Sequence, residues 1–388
     1  MRMNKKKEIV PKFRFPEFQR DGIDFVHGNK LFKSITNKNH NSDLPILAIT
    51  QDQGAVPRDQ IEYNVTVTDK SLSNYKVVEV GDFIISLRSF QGGIEYSRFK
   101  GICSPAYIIL RKREENISEL YYKYFFKTWR YIQSLNRNLE GIRDGKMISY
   151  SQFSSVKVPY PRSFKEQQKI ADCLSSIDEL IDAENRKLKA LEKYKKGLMQ
   201  KLFPAEGKTL PEWRFPEFRG KSEWRIKPLG KICTNYDSRR IPITEKDRVK
   251  GEIPYIGASG VIDYINDFIF DEDLLCVSED GANLVARTYP IAFSISGKTW
   301  VNNHAHVLKF SHKYTQDIVE SYLNMINLQD FLTGMAQPKL NRAKLDIIPI
   351  PLPEEEEQQK IANCLYEVDK IITEQSNKVE QLKAHKKD

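Results

Sequence analysis

SGKT at 296–299, SPAY at 104–107 and the two histidines of WVNNHAHVL are where residue type and spacing come nearest to chemistry. A GxxxxGK phosphate loop needs glycine at 292, where the chain has Ala292, and a helix after the lysine. Trp300 and Val301 follow instead, with strand character. An adenine methyltransferase motif of the (D/N/S)PP(Y/F/W) kind needs a second proline where Ala106 stands. YIGASG at 255–260 is the nearest thing to an S-adenosylmethionine turn, but the strand-like VIDYI follows it. His304 and His306 share one face of a strand and so would suit zinc. No third or fourth ligand cluster lies near them, which leaves structural hydrogen bonding or contact with a base. No catalytic constellation and no metal site is expected. The chain reads as a binding protein.

The net charge of +9 points to a polyanion, because each phosphate neutralised releases counterions. The polar loops agree. In SLRSFQGGIEYSRFKG at 86–101, Arg88 suits guanine and Gln91 suits adenine, each bidentately, while Lys100 suits phosphate. Ser89, Tyr96 and Arg98 complete that candidate surface. The second half offers Ser238, Arg239 and Arg240 in SRRIP, Ser259 in YIGASG, and Asp280 and Asn283 in SEDGAN. Lys298, Asn302, Asn303 and His304 in KTWVNNHAH join them. Asp280, Asn302 and Asn303 equally suit the fixing of turns. The two sets differ at nearly every polar position, so two different half-sites are expected.

The elements that carry these loops are written twice. EQQKIADCLSSID at 166–178 returns as EQQKIANCLYEVD at 357–369, with nine of thirteen positions identical. VPKFRFPEF at 10–18 returns as LPEWRFPEF at 210–218, and VPYP at 158–161 as IPLP at 350–353. A repeat of this length means two domain-sized copies with approximate two-fold symmetry, not a solenoid. Each copy runs from an entry segment (1–19 and 205–219) through a variable domain (20–160 and 220–353) to a long helix (161–204 and 354–388). Alternating apolar stretches such as VVEVGDFIISL at 77–87 and FIFDEDLLCV at 268–277, parted by glycine loops, predict a mixed sheet with appended helices in each domain. The fold class is therefore α+β.

In the first helix Ile170, Leu174, Ile177, Ile181, Leu188, Leu191, Leu198 and Leu202 step by threes and fours, with Glu184 and Lys195 in the skipped positions. Ile361, Leu365, Val368, Ile372, Val379 and Leu382 repeat the seam, and Gln375 stands where Glu184 stood. Such heptads predict a coiled coil. Two matched helices in one chain pair with each other, and a two-fold axis makes the pair antiparallel. About 35 residues give a rod on the order of 50 Å, against a duplex repeat of about 34–36 Å.

QPKLNRAKLDIIPIPLPEEEEQQKIANCL at 337–365, its looser copy GKMISYSQFSSVKVPYPRSFKEQQKIADCL at 145–174, the RFPEF entries and IPYIGASGVIDY at 253–264 resemble the specificity subunits of type I restriction–modification systems. The resemblance spans essentially the whole chain. It implies two target-recognition domains, each reading half of a split double-stranded DNA sequence, and a paired-helix spacer. Two adenine methyltransferase subunits would dock on the helices through Gln167, Gln168, Ile170, Leu174, Gln358, Gln359, Ile361 and Leu365, and up to two restriction subunits would join. S-adenosylmethionine, ATP and magnesium would belong to those partners, with no cofactor on this chain. The second helix departs from the pattern, stopping at LKAHKKD where the first runs on through KYKKGLMQKLFP. Without the resemblance, a stand-alone two-headed DNA-binding regulator and a coiled-coil adaptor remain as rivals, and a specificity subunit of another restriction class stays open beside it. Five scattered cysteines without a CxxC pair, no apolar run of the roughly eighteen residues a membrane helix needs and no secretory leader predict a cytoplasmic protein.

Overall fold

A computed structural model describes residues 13–41, 43–61, 72–137, 148–334 and 337–387. Residues 10–12 of the first entry repeat and 145–147 of the looser family stretch lie outside the described residues. The chain forms two compact units, Met1–Leu180 and Ile181–Asp388. The division falls inside a 39-residue helix, Phe164–Leu202.

In the first unit the central sheet is antiparallel. Its strands are β2 (Phe32–Ile35), β3 (Phe83–Ile85), β4 (Glu95–Tyr96) and β5 (Ile108–Lys112), in the order β2–β5–β3–β4. Stretch 77–87 is two strands, not one. Gly81 turns the chain at φ +94°, and Asp82 holds the turn by accepting from the Glu79 amide at 2.8 Å and from the Arg111 guanidinium twice at 2.7 Å. The core beneath is aromatic. Phe32 meets Tyr122 and Phe83 edge to face at 5.1 and 5.4 Å, and Phe83 meets Phe126 at 5.0 Å. Each such pair adds about 0.5–1.5 kcal/mol beyond its buried area.

A separate ladder frames the domain. β1 (Ile23–His27) pairs antiparallel with β6 (Lys157–Pro161), which leads directly into α1 (Phe164–Leu202). The prolines of VPYP are tolerated because the ladder has only two strands and its outer edge needs no donors.

The second unit repeats the frame. β7 (Arg225–Pro228) pairs with β16 (Pro349–Leu352), which leads into α3 (Glu355–Lys387). Its interior differs, with two four-stranded sheets. One contains β8 (Thr234–Asn235), β12 (Leu274–Ser278), β13 (Ala292–Ile295) and β15 (Ala305–Lys309), in the order β8–β15–β12–β13. The other contains β9 (Lys250–Gly257), β10 (Gly260–Ile265), β11 (Phe270–Asp271) and β14 (Lys298–Val301), in the order β10–β9–β14–β11, with β9 and β14 parallel. The stretch at 268–277 thus splits between two sheets. α2 (Lys313–Met325) packs Ile318, Val319 and Leu323 into the largest core.

Within this unit the two long helices pair. Leu202 and Phe203 share the core with Ile361 and Leu365, while Gln375 Nε2 donates to the Glu184 carboxylate at 2.7 Å and to its carbonyl at 3.0 Å. Lys378 reaches Glu184 at 2.6 Å, and Lys195 reaches Asp369 at 2.6 Å. Rising numbers on one helix meet falling numbers on the other, so they run antiparallel. Both skipped seam positions of α1 are filled by cross-helix polar pairs. Glu184 and Gln375 are the same position in the two copies (375 − 184 = 191), and equivalent residues meet only at a local two-fold.

Candidate nucleic-acid interface

In the second unit three sequence-distant loops meet over a buried charge network. Arg240 is the hub. Its Nη1 donates to Glu279 at 2.7 Å and to the carbonyls of Ala305 at 2.8 Å and Asn303 at 3.4 Å, and Nη2 lies 3.5 Å from Asp237. His306, on β15 and 1% exposed, places Nδ1 at 2.6 Å from Asp237 and Nε2 at 2.7 Å from the Leu340 carbonyl. Both ring nitrogens face acceptors. The other Asp237 oxygen accepts from the Val307 amide at 2.9 Å. Burial works to raise the Asp237 carboxyl, but the hydrogen bond and charge of His306 prevail and hold it below the ordinary range. Glu279 behaves alike: burial is outweighed by Arg240, His306 and Lys339. The loops are rooted, not floating.

On this root some expected readers are exposed and others are spent. Ser238, Arg239, Ser259, Lys298, Asn303 and His304 are exposed. The Arg239 guanidinium lies 4.6 Å over Tyr236 and 4.7 Å over Phe270, and Nη1 is 3.2 Å from Glu272, which aims the side chain. His304 holds Nδ1 2.9 Å from Asp280, so Asp280 orients a neighbour. Ser259 sits in the β9–β10 turn, where Gly260 has φ +106°. Lys298 Nζ lies 4.7 Å over Phe268.

Three expectations are corrected. Arg240 is consumed as the hub. Asn283 is buried and closes the 283–289 turn, accepting from the Thr288 amide at 2.9 Å and donating to the Tyr289 carbonyl at 2.9 Å. Asn302 is 5% exposed and accepts from the His304 amide at 2.8 Å. Nor do His304 and His306 share a site, since one is exposed and paired to Asp280 while the other is buried against Asp237. Among the described residues no group of three or more His, Cys, Asp or Glu is placed to hold a metal. SGKT runs from the turn after β13, where Gly297 has φ +67°, into β14, whose first two residues are Lys298 and Thr299.

In the first unit Arg88, Gln91, Arg98 and Lys100 are exposed, and Lys100 is 3.1 Å from Glu79. Ser89 is corrected. It is 1% exposed, and its hydroxyl accepts from the Ser86 amide at 2.8 Å. Tyr96 is half-buried, edge-on to Phe83 at 5.5 Å. The residue missed is Lys127, whose ammonium donates to the carbonyls of Gln51 and Gly92, both at 3.0 Å, and to Glu95 at 2.5 Å. It ties the end of the 86–95 loop to Gln51, yet a single lysine after a helix has no pattern to betray it. Gly93 has φ +86°, and a Cβ there would stand 2.3 Å from the Phe126 carbonyl oxygen, so the second glycine of the GG pair is compulsory. Burial drives the Glu95 carboxyl up to about 7, against the opposing pull of Lys127.

The docking expectation is also corrected at four positions. Gln167 is fully buried, donating to the Pro161 carbonyl at 2.8 Å and accepting from the Ser118 amide at 2.9 Å. Gln358 repeats this with the Pro353 carbonyl at 2.8 Å, and its Oε1 accepts from Thr315 at 2.8 Å. Ile361 and Leu365 belong to the core. These four tie each helix to its own domain and leave nothing for a partner. Gln359 is exposed, Gln168 bonds Asp172 at 2.9 Å, and Ile170 and Leu174 are half-buried.

The comparisons agree on one family. The model described as "Type I restriction modification DNA specificity domain" matches twice, over residues 21–193 and 221–383. The chain is 25% identical over 352 residues to the type I restriction enzyme MjaVIII specificity subunit of Methanocaldococcus jannaschii, covering 83% of this chain and 79% of that protein. It is 35% identical over 144 residues to a putative type I restriction enzyme specificity subunit of Haemophilus influenzae, covering 37% of each. The crystal structure of the type I restriction–modification S subunit from M. genitalium matches over 97% of both chains, with a TM-score of 0.59 at 14% identity. A chain from a study of complex assembly in the type I system matches with a TM-score of 0.57 at 15% identity, again over 97% of both. At these identities the solved structures speak for the fold alone. Among the described residues no helix is long and apolar enough to cross a membrane.

Proposed function

The chain belongs to the type I restriction–modification specificity family, and on that premise we propose that it reads a bipartite, asymmetric DNA site, one half with each unit. The observation that carries this is the convergence of Arg239, Asn303 and His304 on loops rooted in one buried charge network. Base reading needs polar groups that protrude yet are held still, since each well-placed bidentate contact separates bases by about 1–3 kcal/mol. The first unit presents Arg88 and Gln91 from a loop held by Lys127, and Arg98 from beyond β4. The two sets are unlike, so the half-sites differ.

The chain performs no reaction itself in this reading. Two adenine methyltransferase subunits dock on it and supply base flipping and S-adenosylmethionine, and up to two restriction subunits bring ATP and magnesium chemistry. Gln359, which is exposed, and Gln168, whose amide bonds Asp172, remain candidates for the methyltransferase contact. The test is a map of modified adenines in cells expressing this chain with its methyltransferase. A split motif with two unlike halves is expected, and exchange of residues 20–150 for those of a relative should alter one half only. Change in both halves, or in neither, rejects the reading.

A further inference from the structure

The two repeated motifs touch each other, and from that contact we infer that they form a lock fixing the angle at which each recognition domain leaves its helix, and through it the number of base pairs between the half-sites. The inference rests on the proposed DNA-reading function. In the first unit Arg14 of RFPEF forks onto Glu166 of EQQK, with Nε and Nη2 at 2.6 and 2.7 Å, and its Nη1 donates to the Asp21 carbonyl at 2.7 Å. In the second unit Arg214 forks onto Glu357 at 2.8 and 2.7 Å and donates to the carbonyls of Lys221 and Ser222 at 3.0 and 3.1 Å. A second pair repeats as well: Lys169 with Glu17, and Lys360 with Glu217 at 3.3 Å. Each lysine also lies over a phenylalanine of its entry, 4.7 Å from the Phe15 ring and 5.6 Å from the Phe215 ring.

Stability alone is a weak reason to build this twice. Glu166 and Glu357 are each 1% exposed, and the desolvation of such a buried pair cancels much of its attraction, so a packed apolar pair would hold as well. What the planar fork adds is direction. The placement is where direction matters. In the first unit the ladder strand β6 ends at Pro161 and α1 begins at Phe164, leaving a two-residue joint between domain and helix. The Gln167 tether bonds back across that joint to Pro161, and the entry segment braces the helix from a second direction. A joint held from two directions cannot swing. Each base pair turns a duplex by about 34° and advances it by about 3.4 Å, so freedom at this joint becomes tolerance of an altered spacer.

The test uses the full chain with its methyltransferase partners and reads the spacer in the modified-adenine motif. Wild type is expected to give one spacer length. Arg214→Met should keep both half-site sequences while methylation at spacers one base pair longer or shorter rises about tenfold, the factor that corresponds to about 1.4 kcal/mol of lost discrimination. The charge exchange Arg214→Glu with Glu357→Arg should restore the single spacer at least in part. Arg214→Met that folds and keeps one spacer overturns the lock. Should that variant unfold, Lys360→Ala on the exposed side decides, with broadening in support and a single spacer against. A wild-type chain without a split motif removes the DNA-reading function and the lock together. A split motif that neither variant broadens removes the lock alone.

Discussion

The two units repeat the same frame contacts and differ in how their candidate loops are rooted. Both frames have the Pro-rich ladder, the buried glutamine bonded to a carbonyl at 2.8 Å and the arginine fork on a helix-start glutamate. The roots diverge. The first unit holds its loop with one ammonium, Lys127, against a carboxyl pushed up to about 7. The second uses two carboxylates held low, a guanidinium and a histidine. Geometry common to both halves is preserved in duplicated contacts, whereas the loops proposed to read sequence differ and only their roots are held.

The largest effect that would sharpen this contrast is Arg240→Ala. It leaves Glu279 and Asp237 without their guanidinium, and removal of one partner from a buried ionic network costs about 3–5 kcal/mol. Thermal unfolding followed by hydrogen exchange should place that loss in the second unit, with amides of the first unit unchanged. Equal loss in both would show that the roots are not independent.

The second contrast is in pH and has opposite signs. Glu95 has its folded value raised from 4.5 to about 7, so its contribution is present below 4.5 and is lost as pH climbs through 7. Asp237 and Glu279 have folded values below their ordinary 3.8 and 4.5, so their contribution is present above those values and fades as pH falls through the lower folded ones. Protection of the 86–95 loop should therefore weaken between pH 4.5 and 7, by on the order of 3 kcal/mol from Glu95, while the 237–240 turn weakens only in acid. Glu95→Gln should flatten the first curve and leave the second. A flat wild-type curve at the 86–95 loop would refute the buried, unsettled carboxyl.

How far sequence reasoning reached follows the same division. The frame was plain in the repeated RFPEF, VPYP and EQQK strings, and the antiparallel helix pair followed from the seam, because periodicity and repetition are properties of the string itself. That RFPEF and EQQK bind one another was missed, although an arginine and a glutamate in one string answer a glutamate and a lysine in the other. The loops were found as regions but not residue by residue. Arg240, Asn283, Asn302 and Ser89 have the same chemistry as a base reader, and only burial reveals that they serve turns and hubs. Gln167 and Ile361 looked like a docking surface for the same reason: duplication marks importance without saying which side of the helix carries it.

Arg239→Ala is expected to act more modestly, lowering specific affinity by about 1–3 kcal/mol and relaxing preference in one half-site only. Arg88→Ala should relax the other half by a similar amount. If Arg239→Ala weakens all sequences equally, it is a phosphate contact and the aromatic platform under it serves only to place charge.

The smallest effect separates charge from reading. Lys100, 55% exposed beside Glu79, and Lys298, resting on Phe268, carry compact ammonium groups suited to phosphate and not to a bidentate base edge. Each change to alanine should weaken binding by a similar small factor on every sequence and reduce the salt slope by about one counterion, with the modified motif unchanged. The two lysines lie in different units, outside both rooted networks, so equal slopes from both would mean that phosphate contact does not depend on the root. A slope that falls for Lys298 and not for Lys100 would instead mean that Glu79 already neutralises Lys100, and that the first unit reaches the backbone through Arg98.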